Sequence, residues 1–409
     1  MGGNSVDRSW WTSSAEQAPA WATNVIDPAD LVNLRDLLSA TGWRALLAVD
    51  FGHFDPTRAA NEAHDAQRIL GSRLLGIEIG NEPNGYGMPS IGLRGSTYDV
   101  GTYLQEVAAY SAAIRASSPN VRLYGPEVSG PTSWITSVAS AARMPFSALT
   151  EHYYATSYSV PRGACKGTPL PTALDLLAPQ VRQEESTLVQ MLVAAGQLAH
   201  RPTRISETNT TASCDASGAP DTGPVFASAL WSLDWILRAA NAGVGGINFH
   251  GSFGVCTPIN YSPVCAPSDT LGGHVHVGAA PEYYGLLAAR QLEGGRFLPI
   301  DIRGESASDD ITAYATVHPD GVISLAIDNF SASNVPALIL RVPGYHQATS
   351  EPLLAPSISA TNDVTFGGAS FSADGVLRPT TTDVPVLDGR LQLALAPTSA
   401  TIITLYRGR

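Results

Sequence analysis

Residues 76–87 read GIEIGNEPNGYG, and this stretch decides the fold. A short β-branched run ends abruptly at Asn81-Glu82-Pro83, and a glycine-rich loop follows. Proline lacks the N–H that a central strand must donate, so the strand has to stop before Pro83. Glu82 is therefore a carboxylate left at a strand's last residue, between an amide and a proline, where stability alone gives no reason for it. Glu78 shares a strand face with Glu82 under period-two alternation and is expected to point inward, in need of a cationic or hydrogen-bonding partner.

Five further runs resemble the one ending at Glu82. They are ALLAVDFG (45–52), VRLYGPEV (121–128), FSALTEHYY (146–154), TRISETN (203–209) and GGINFHG (245–251). Near-continuous apolar runs of this length fit parallel strands buried on both faces. A seventh strand is suggested by MGGNSVD at 1–7. Helical patterns lie between the strands, at 28–42, 97–117, 177–197 and 226–243, two of them ending in Gly42 and Gly243 as C-terminal caps. Strands alternating with helices, without a dinucleotide fingerprint, indicate an α/β chain folded as a (β/α)8 TIM-type barrel over residues 1–295. Polar residues collect at the strand ends, where such barrels carry their chemistry: Asp50 and His53, Asn81 and Glu82, Glu127, His152 and Tyr154, Glu207 and Asn209, Asn248 and His250. From about residue 296 short alternating runs broken by Gly, Pro, Asn and Asp indicate an all-β sandwich over 296–409.

The chain has 409 residues, 44 % hydrophobic and 15 % charged, with a net charge of −12. That composition supports a packed core and argues against disorder. The negative charge disfavours nucleic acid, acidic membranes and long sulfated polyanions as partners. No run approaches the ~20 apolar residues of a membrane span. Cys165, Cys214, Cys256 and Cys265 allow three pairings, and a Cys256–Cys265 bridge would close the loop VCTPINYSPVC. Neither a metal nor a cofactor is implied: no CxxC spacing occurs, and His274-Val-His276 has no third ligand nearby and reads as a polar loop. The sequons at Asn209, Asn260 and Asn329 read as chance matches. Trp10-Trp11 suits either a sugar-stacking face or core packing.

One glutamate at a strand end is ordinarily a solvated or loop-capping residue. Two of them, on strands three apart in one barrel, face each other across its mouth. Glu207 ends the ISETN strand 125 residues after Glu82. Such a pair suits cleavage of a glycosidic bond, where one carboxylic acid protonates the leaving oxygen and one carboxylate meets the anomeric carbon. Glu127, in GPEVS, lies on the strand next to that of Glu82. It is a neighbour rather than a facing partner, and reads as a substrate contact or a structural acid.

Asn81-Glu82 on a fourth strand with Glu207 on a seventh looks like the retaining glycosidases of clan A. GGNSVD, EIGNEPN, EHYY, ISETN and GGINFHG, followed by a β-rich tail, resemble glycoside hydrolase family 79, the β-glucuronidases and heparanase-like enzymes, over nearly the whole chain. The resemblance implies Glu82 as acid/base, Glu207 as nucleophile, Asn81 as partner of the sugar 2-hydroxyl, and Tyr154 as the group orienting the nucleophile. It also implies Asn4 lining the sugar site, with Tyr261 and the backbone near Gly254 holding a sugar carboxylate. The expected partner is a small glucuronide or oligosaccharide. The family's barrel would place a first strand, a first helix and most of a second strand before GGNSVD. The chain is therefore expected to be a fragment of a longer, secreted or periplasmic form. Two alternatives stay open, a clan A β-glycosidase for neutral sugars and a carbohydrate-binding pseudoenzyme. Oligomeric state is not legible.

Overall fold

A computed structural model describes residues 2–130, 133–156, 171–211, 222–251, 261–266, 277–304, 310–372 and 375–407. The chain forms two compact units. One comprises Met1–Tyr153, Thr187–Thr208 and Gly243–Asn248, the other Tyr154–Ser186, Asn209–Ala242 and Phe249–Arg409.

Gly2–Asp7 is not the strand that MGGNSVD suggests. Gly3 takes a φ of 75° and Val6–Arg8 forms a single 3-10 turn. Asp7, buried, uses Oδ1 to accept from the Gly52 amide at 2.8 Å, an anchor that a strand ladder would not provide. The first strand is β1 (Ser9–Trp11), paired in parallel with β2 (Asn24–Ile26) in a sheet of its own.

The main sheet then runs in sequence order: β3 (Ala45–Val49), β4 (Leu74–Ile79), β5 (Leu123–Ser129), β6 (Ala148–Thr156), β7 (Thr203–Thr211) and β8 (Ile247–Phe249). These six parallel strands curl into a half-barrel. Every residue of β3 is buried, as an apolar run with two covered faces requires. In β4, a Cβ on Gly76 would sit 2.4 Å from the Tyr124 ring, so glycine there admits the neighbouring strand's aromatic.

Helix α1 (Pro28–Thr41) opens with an Asp27–Asp30 capping box and Pro28 in its first turn, and ends on left-handed Gly42. Helices α3 (Val100–Ser117), α6 (Pro179–Ala199) and α7 (Phe226–Ala242) lie where the pattern places them. Helix α2 (Pro56–Leu70) was not visible as an apolar stripe, because its buried face is Ala59, Ala60, Ala63 and Ala66 beside the buried acids Glu62 and Asp65.

In the second unit a seven-stranded antiparallel sheet includes Ile311–Val317, Ile323–Asn329, Gln347–Leu354 and Ser399–Tyr406. A three-stranded sheet contains Ala337–Arg341 and Arg390–Ala394. Leu325, Ile327, Ile403 and Leu405 of the larger sheet share one buried cluster with Leu391 of the smaller, the interdigitated core of a sandwich. Cys265 is disulfide-bonded. Cys165, Cys214, Cys256, Gly254, Asn260, His274 and His276 lie outside the described residues.

Candidate active site

After Ile79 the chain turns through Gly80 at φ 83° and Glu82 at φ 48°, so extended geometry cannot continue. Pro83 then starts a 3-10 turn, Pro83–Gly85. A left-handed glutamate costs on the order of 1–3 kcal/mol and persists only where its surroundings hold it. Here the Glu82 amide donates to the Glu127 carbonyl at 2.8 Å, and the Asn81 amide to Tyr86 Oη at 3.3 Å. Tyr86 in turn donates to Asp7 Oδ2 at 2.7 Å. Glu127, next along the sheet, is also left-handed at φ 57°.

These constraints bring together residues that are far apart in sequence. Asn81 donates from Nδ2 to Asn4 Oδ1 at 3.2 Å. One oxygen of Glu82, one oxygen of Glu207 and one ring nitrogen of His152 lie within 4.8 Å of one another. His152, on β6, is 2 % exposed and bonded at both ends: Nδ1 lies 3.2 Å from Glu82 Oε1 and Nε2 lies 2.8 Å from Glu127 Oε2. Ser206 on β7 donates its hydroxyl to the same Glu127 oxygen at 2.8 Å.

Tyr154 and Tyr261 have their surroundings in the second unit. The Tyr154 ring meets that of His250 edge-on at 6.3 Å, and His250 Nδ1 lies 2.8 Å from Tyr261 Oη. Asn209 Nδ2 donates to the His250 and Tyr261 carbonyls at 2.7 and 3.1 Å, which leaves it no room for a glycan. Asn329 is likewise buried and donates to the Ala396 carbonyl at 2.9 Å. Trp11 is buried with Nε1 on Asn61 Oδ1 at 2.7 Å, while the Arg58 guanidinium lies 3.4 Å over Trp10, so both indoles pack rather than present a sugar platform.

Electrostatics distinguishes the acids. Burial pushes Glu82 up, but the bond to and charge of His152, with the Ser129 hydroxyl, outweigh it and hold the carboxyl below its ordinary value. The same balance, burial against His152, Thr150 and Ser206, holds Glu127 down. Burial would lower His152, yet its bonds to Glu127 and Glu82 and the charges of Glu207 and Glu127 raise it well above its ordinary value. Glu78 goes the other way: burial, then the charge of Glu127, push it well above its ordinary value. The Glu78 partner that the sequence leaves open is Glu127. Glu78 Oε1 and Glu127 Oε1 are buried with no donor among the described residues, and a proton shared between the two carboxyls supplies one. Two carboxylates and an imidazole at this spacing would suit a small cation. However, an imidazole flanked by carboxylates at both nitrogens donates from both and has no lone pair for a metal.

Sequence reasoning missed the role of His152. The signal was H-x-Y in EHYY: two residues apart on a strand, His152 and Tyr154 share a face.

No protein-family model and no curated protein matches the sequence. Solved structures do. A 4-O-α-L-rhamnosyl-β-D-glucuronidase from Fusarium oxysporum superposes with a TM-score of 0.76 at 18 % identity, covering 99 % of this chain and 87 % of its own. A GH51 arabinofuranosidase from Xanthomonas axonopodis pv. citri gives 0.64 at 15 %, covering 91 % and 78 %. A family 44 endoglucanase from Clostridium acetobutylium gives 0.53 at 12 %, covering 98 % and 75 %. At these identities the likeness is one of fold, a TIM-like glycosidase architecture with an added β-sheet domain.

Proposed function

We propose that the protein is an exo-acting, retaining β-glucuronidase that hydrolyses terminal β-glucuronides by double displacement. The observation that carries this reading is the approach of Glu82 and Glu207 oxygens to within 4.8 Å at the ends of β4 and in β7. Retaining enzymes keep their carboxyl groups about 5–5.5 Å apart, whereas inverting ones leave about 6.5–9.5 Å for a water. Glu207 attacks the anomeric carbon as Glu82 protonates the leaving oxygen, giving a glycosyl ester. Water then attacks that carbon, Glu82 takes its proton, and the ester bond to Glu207 breaks. Asn81, held by Asn4, is placed to bond the sugar 2-hydroxyl, an interaction that strengthens in the transition state. Tyr154 is assigned to orienting the nucleophile, and Tyr261 with the Gly254 backbone to the sugar carboxylate. The choice of glucuronate is supported by the sequence motifs and by a structural neighbour that is itself a glucuronidase.

Two measurements test the reading. Rates on nitrophenyl β-glucuronide and β-glucoside should favour the glucuronide, and a preference for the glucoside ends the glucuronidase claim. Glu207→Ala should lower kcat on the order of 10⁵-fold or more. Azide should restore turnover and give the α-configured azide; retained turnover without azide would remove Glu207 as nucleophile.

A further inference from the structure

The double displacement needs Glu82 protonated when substrate arrives, yet the free site holds Glu82 as a carboxylate against an imidazolium. The missing proton is one hydrogen bond away, on His152 Nδ1, 3.2 Å from Glu82 Oε1. We propose that Glu127 is a positioning residue which acts through His152 to set the proton supply of Glu82. This inference rests on the double-displacement reading and goes beyond the two carboxylates that define it.

The geometry makes the two ring nitrogens unequal. Nε2 lies 2.8 Å from Glu127 Oε2, an oxygen that also accepts from Ser206, and Glu127 is buried at 3 % exposure. Glu82 keeps 24 % of its side chain exposed and faces the substrate space. A proton leaving the imidazolium therefore departs from Nδ1 toward Glu82. The Nε2–H stays on Glu127, because the tautomer left behind is the one that a buried carboxylate stabilises.

The proton count closes over one turnover. In glycosylation the Nδ1 proton moves to Glu82, which passes it on to the leaving oxygen; Glu82 ends the step as a carboxylate and His152 becomes neutral. In deglycosylation Glu82 takes a proton from water and passes it to Nδ1, and the imidazolium re-forms. Nothing is oxidised and no co-reactant is needed. Glu207 is linked to the same cycle. Its negative charge favours the imidazolium in the free enzyme and is consumed when it becomes an ester, which eases release of the Nδ1 proton during the step that needs it.

The groups facing His152 come from three strands besides its own. The β4 segment brings Glu78 and Glu82, β5 brings Glu127, and β7 brings Glu207 and the guanidinium of Arg204, whose charge is felt by Glu78 and Glu127. On its own strand the neighbouring Glu151 lies on the opposite face and feels only the His152 charge. Burial and the Glu127 charge push Glu78 up toward its neutral form, while Glu127 is held down, which leaves Glu127 as the acid that carries charge on the Nε2 side.

The test compares Glu127→Gln with the parent, and with Glu127→Asp as the charge-conserving control. Expected for Glu127→Gln is a fall in kcat on the order of 10²-fold on aryl glucuronides with poor leaving groups, with KM little changed. The alkaline limb of kcat should move to lower pH by about one unit or more, because the imidazolium loses its anion. On 2,4-dinitrophenyl β-glucuronide, whose departure needs no acid, the loss should nearly vanish. Glu127→Asp should recover part of both. A uniform loss across leaving groups with an unmoved alkaline limb overturns the proposal. A ¹⁵N NMR titration of His152 reads it without turnover. The imidazole should titrate at lower pH in Glu127→Gln, and an unchanged titration overturns the proposal even in a protein that hydrolyses no glucuronide. Absence of hydrolysis by the parent strikes instead at the function proposed above. If Glu127→Gln fails to fold, Ser206→Ala gives the opposite sign, since Glu127 then concentrates its charge on His152. An acid-ward shift there overturns the proposal.

Discussion

Two buried charge clusters, one in each unit, set acids around a cation to opposite ends. In the second unit Asp234 on α7 accepts at Oδ1 from Thr312 Oγ1 at 2.7 Å and Tyr314 Oη at 2.8 Å, and at Oδ2 from Arg238 at 2.5 Å. Burial and the Asp234 charge push the neighbouring Glu185 up to about 8, while Arg238 and Trp231 Nε1 pull the other way. Burial and the Asp234 charge push the neighbouring Asp328 well up too, against its bond to Thr312, so acids that favour their neutral forms surround the Asp234–Arg238 pair. Arg238, raised further by Asp234 although burial opposes it, never gives up its proton. The cluster around His152 sets three acids, Glu82, Glu127 and Glu207, about a cation that can lose its proton. Balance with an arginine makes a permanent tie between helix and sheet; excess acid around a histidine leaves a proton that can be moved.

The largest effect that would break this comparison is on the permanent tie. Asp234→Ala strands a buried guanidinium and two hydroxyls, and should cost about 3–5 kcal/mol in urea unfolding. The folded fraction should keep the parent's kcat and pH profile. A shifted pH profile would mean that the two clusters are not separate devices.

Next in size is Glu151, adjacent to His152 in sequence but on the opposite face of β6, with both carboxyl oxygens buried and without a hydrogen-bond partner among the described residues. Burial pushes it up to about 9, against the pull of His152. A raised carboxyl keeps its proton in the folded chain while the unfolded chain releases it above about pH 4.5. Folded stability therefore falls as pH rises from there to the folded value, by about 1.4 kcal/mol per unit. Glu151→Gln should remove that slope, a relative gain of about 3 kcal/mol at pH 7 over pH 4.5. Urea unfolding at pH 5 and pH 8 measures it, and parallel curves for parent and variant would refute it.

Legibility in the sequence followed the range of the physics. Apolar runs with both faces covered placed β3 to β8, and the proline after Glu82 marked where one of them stops. The strand-end readings of the two acids were less exact: β4 ends at Ile79 with Glu82 in the turn beyond it, and Glu207 lies inside β7. What failed depended on contacts or on backbone that departs from period two. Residues 1–7 looked extended, but Asp7 serves as an anchor for the turn at Gly52. Helix α2 buries alanines, too small to mark a stripe. Glu127 was read as a substrate contact or structural acid on a neighbouring strand, without its tie to His152. Its φ of 57° turns it out of simple alternation and its carboxylate meets His152, which no spacing rule encodes.

The smallest and sharpest test is a matched pair. Ser206→Ala removes one hydroxyl donor from Glu127 Oε2, and Thr312→Val removes one from Asp234 Oδ1, at 2.8 and 2.7 Å. A hydrogen bond to a charged acceptor is worth about 1.5–3 kcal/mol, less where another donor already serves the same oxygen. Both variants should therefore lose on the order of 1 kcal/mol. They should part in what else changes. Beside Asp234 the remaining donors are a phenol and an arginine that stay protonated throughout the working range, so Thr312→Val should leave the pH–rate profile where it was. On Glu127 Oε2 the hydrogen bond that stays is the one from His152. The carboxylate, relieved of a competing hydroxyl, binds the imidazolium more tightly and should move the alkaline limb of kcat upward by a few tenths of a unit. Equal stability losses with a shift in only one profile would mark the first cluster as adjustable and the second as fixed. Equal losses with no shift in either would make both merely structural.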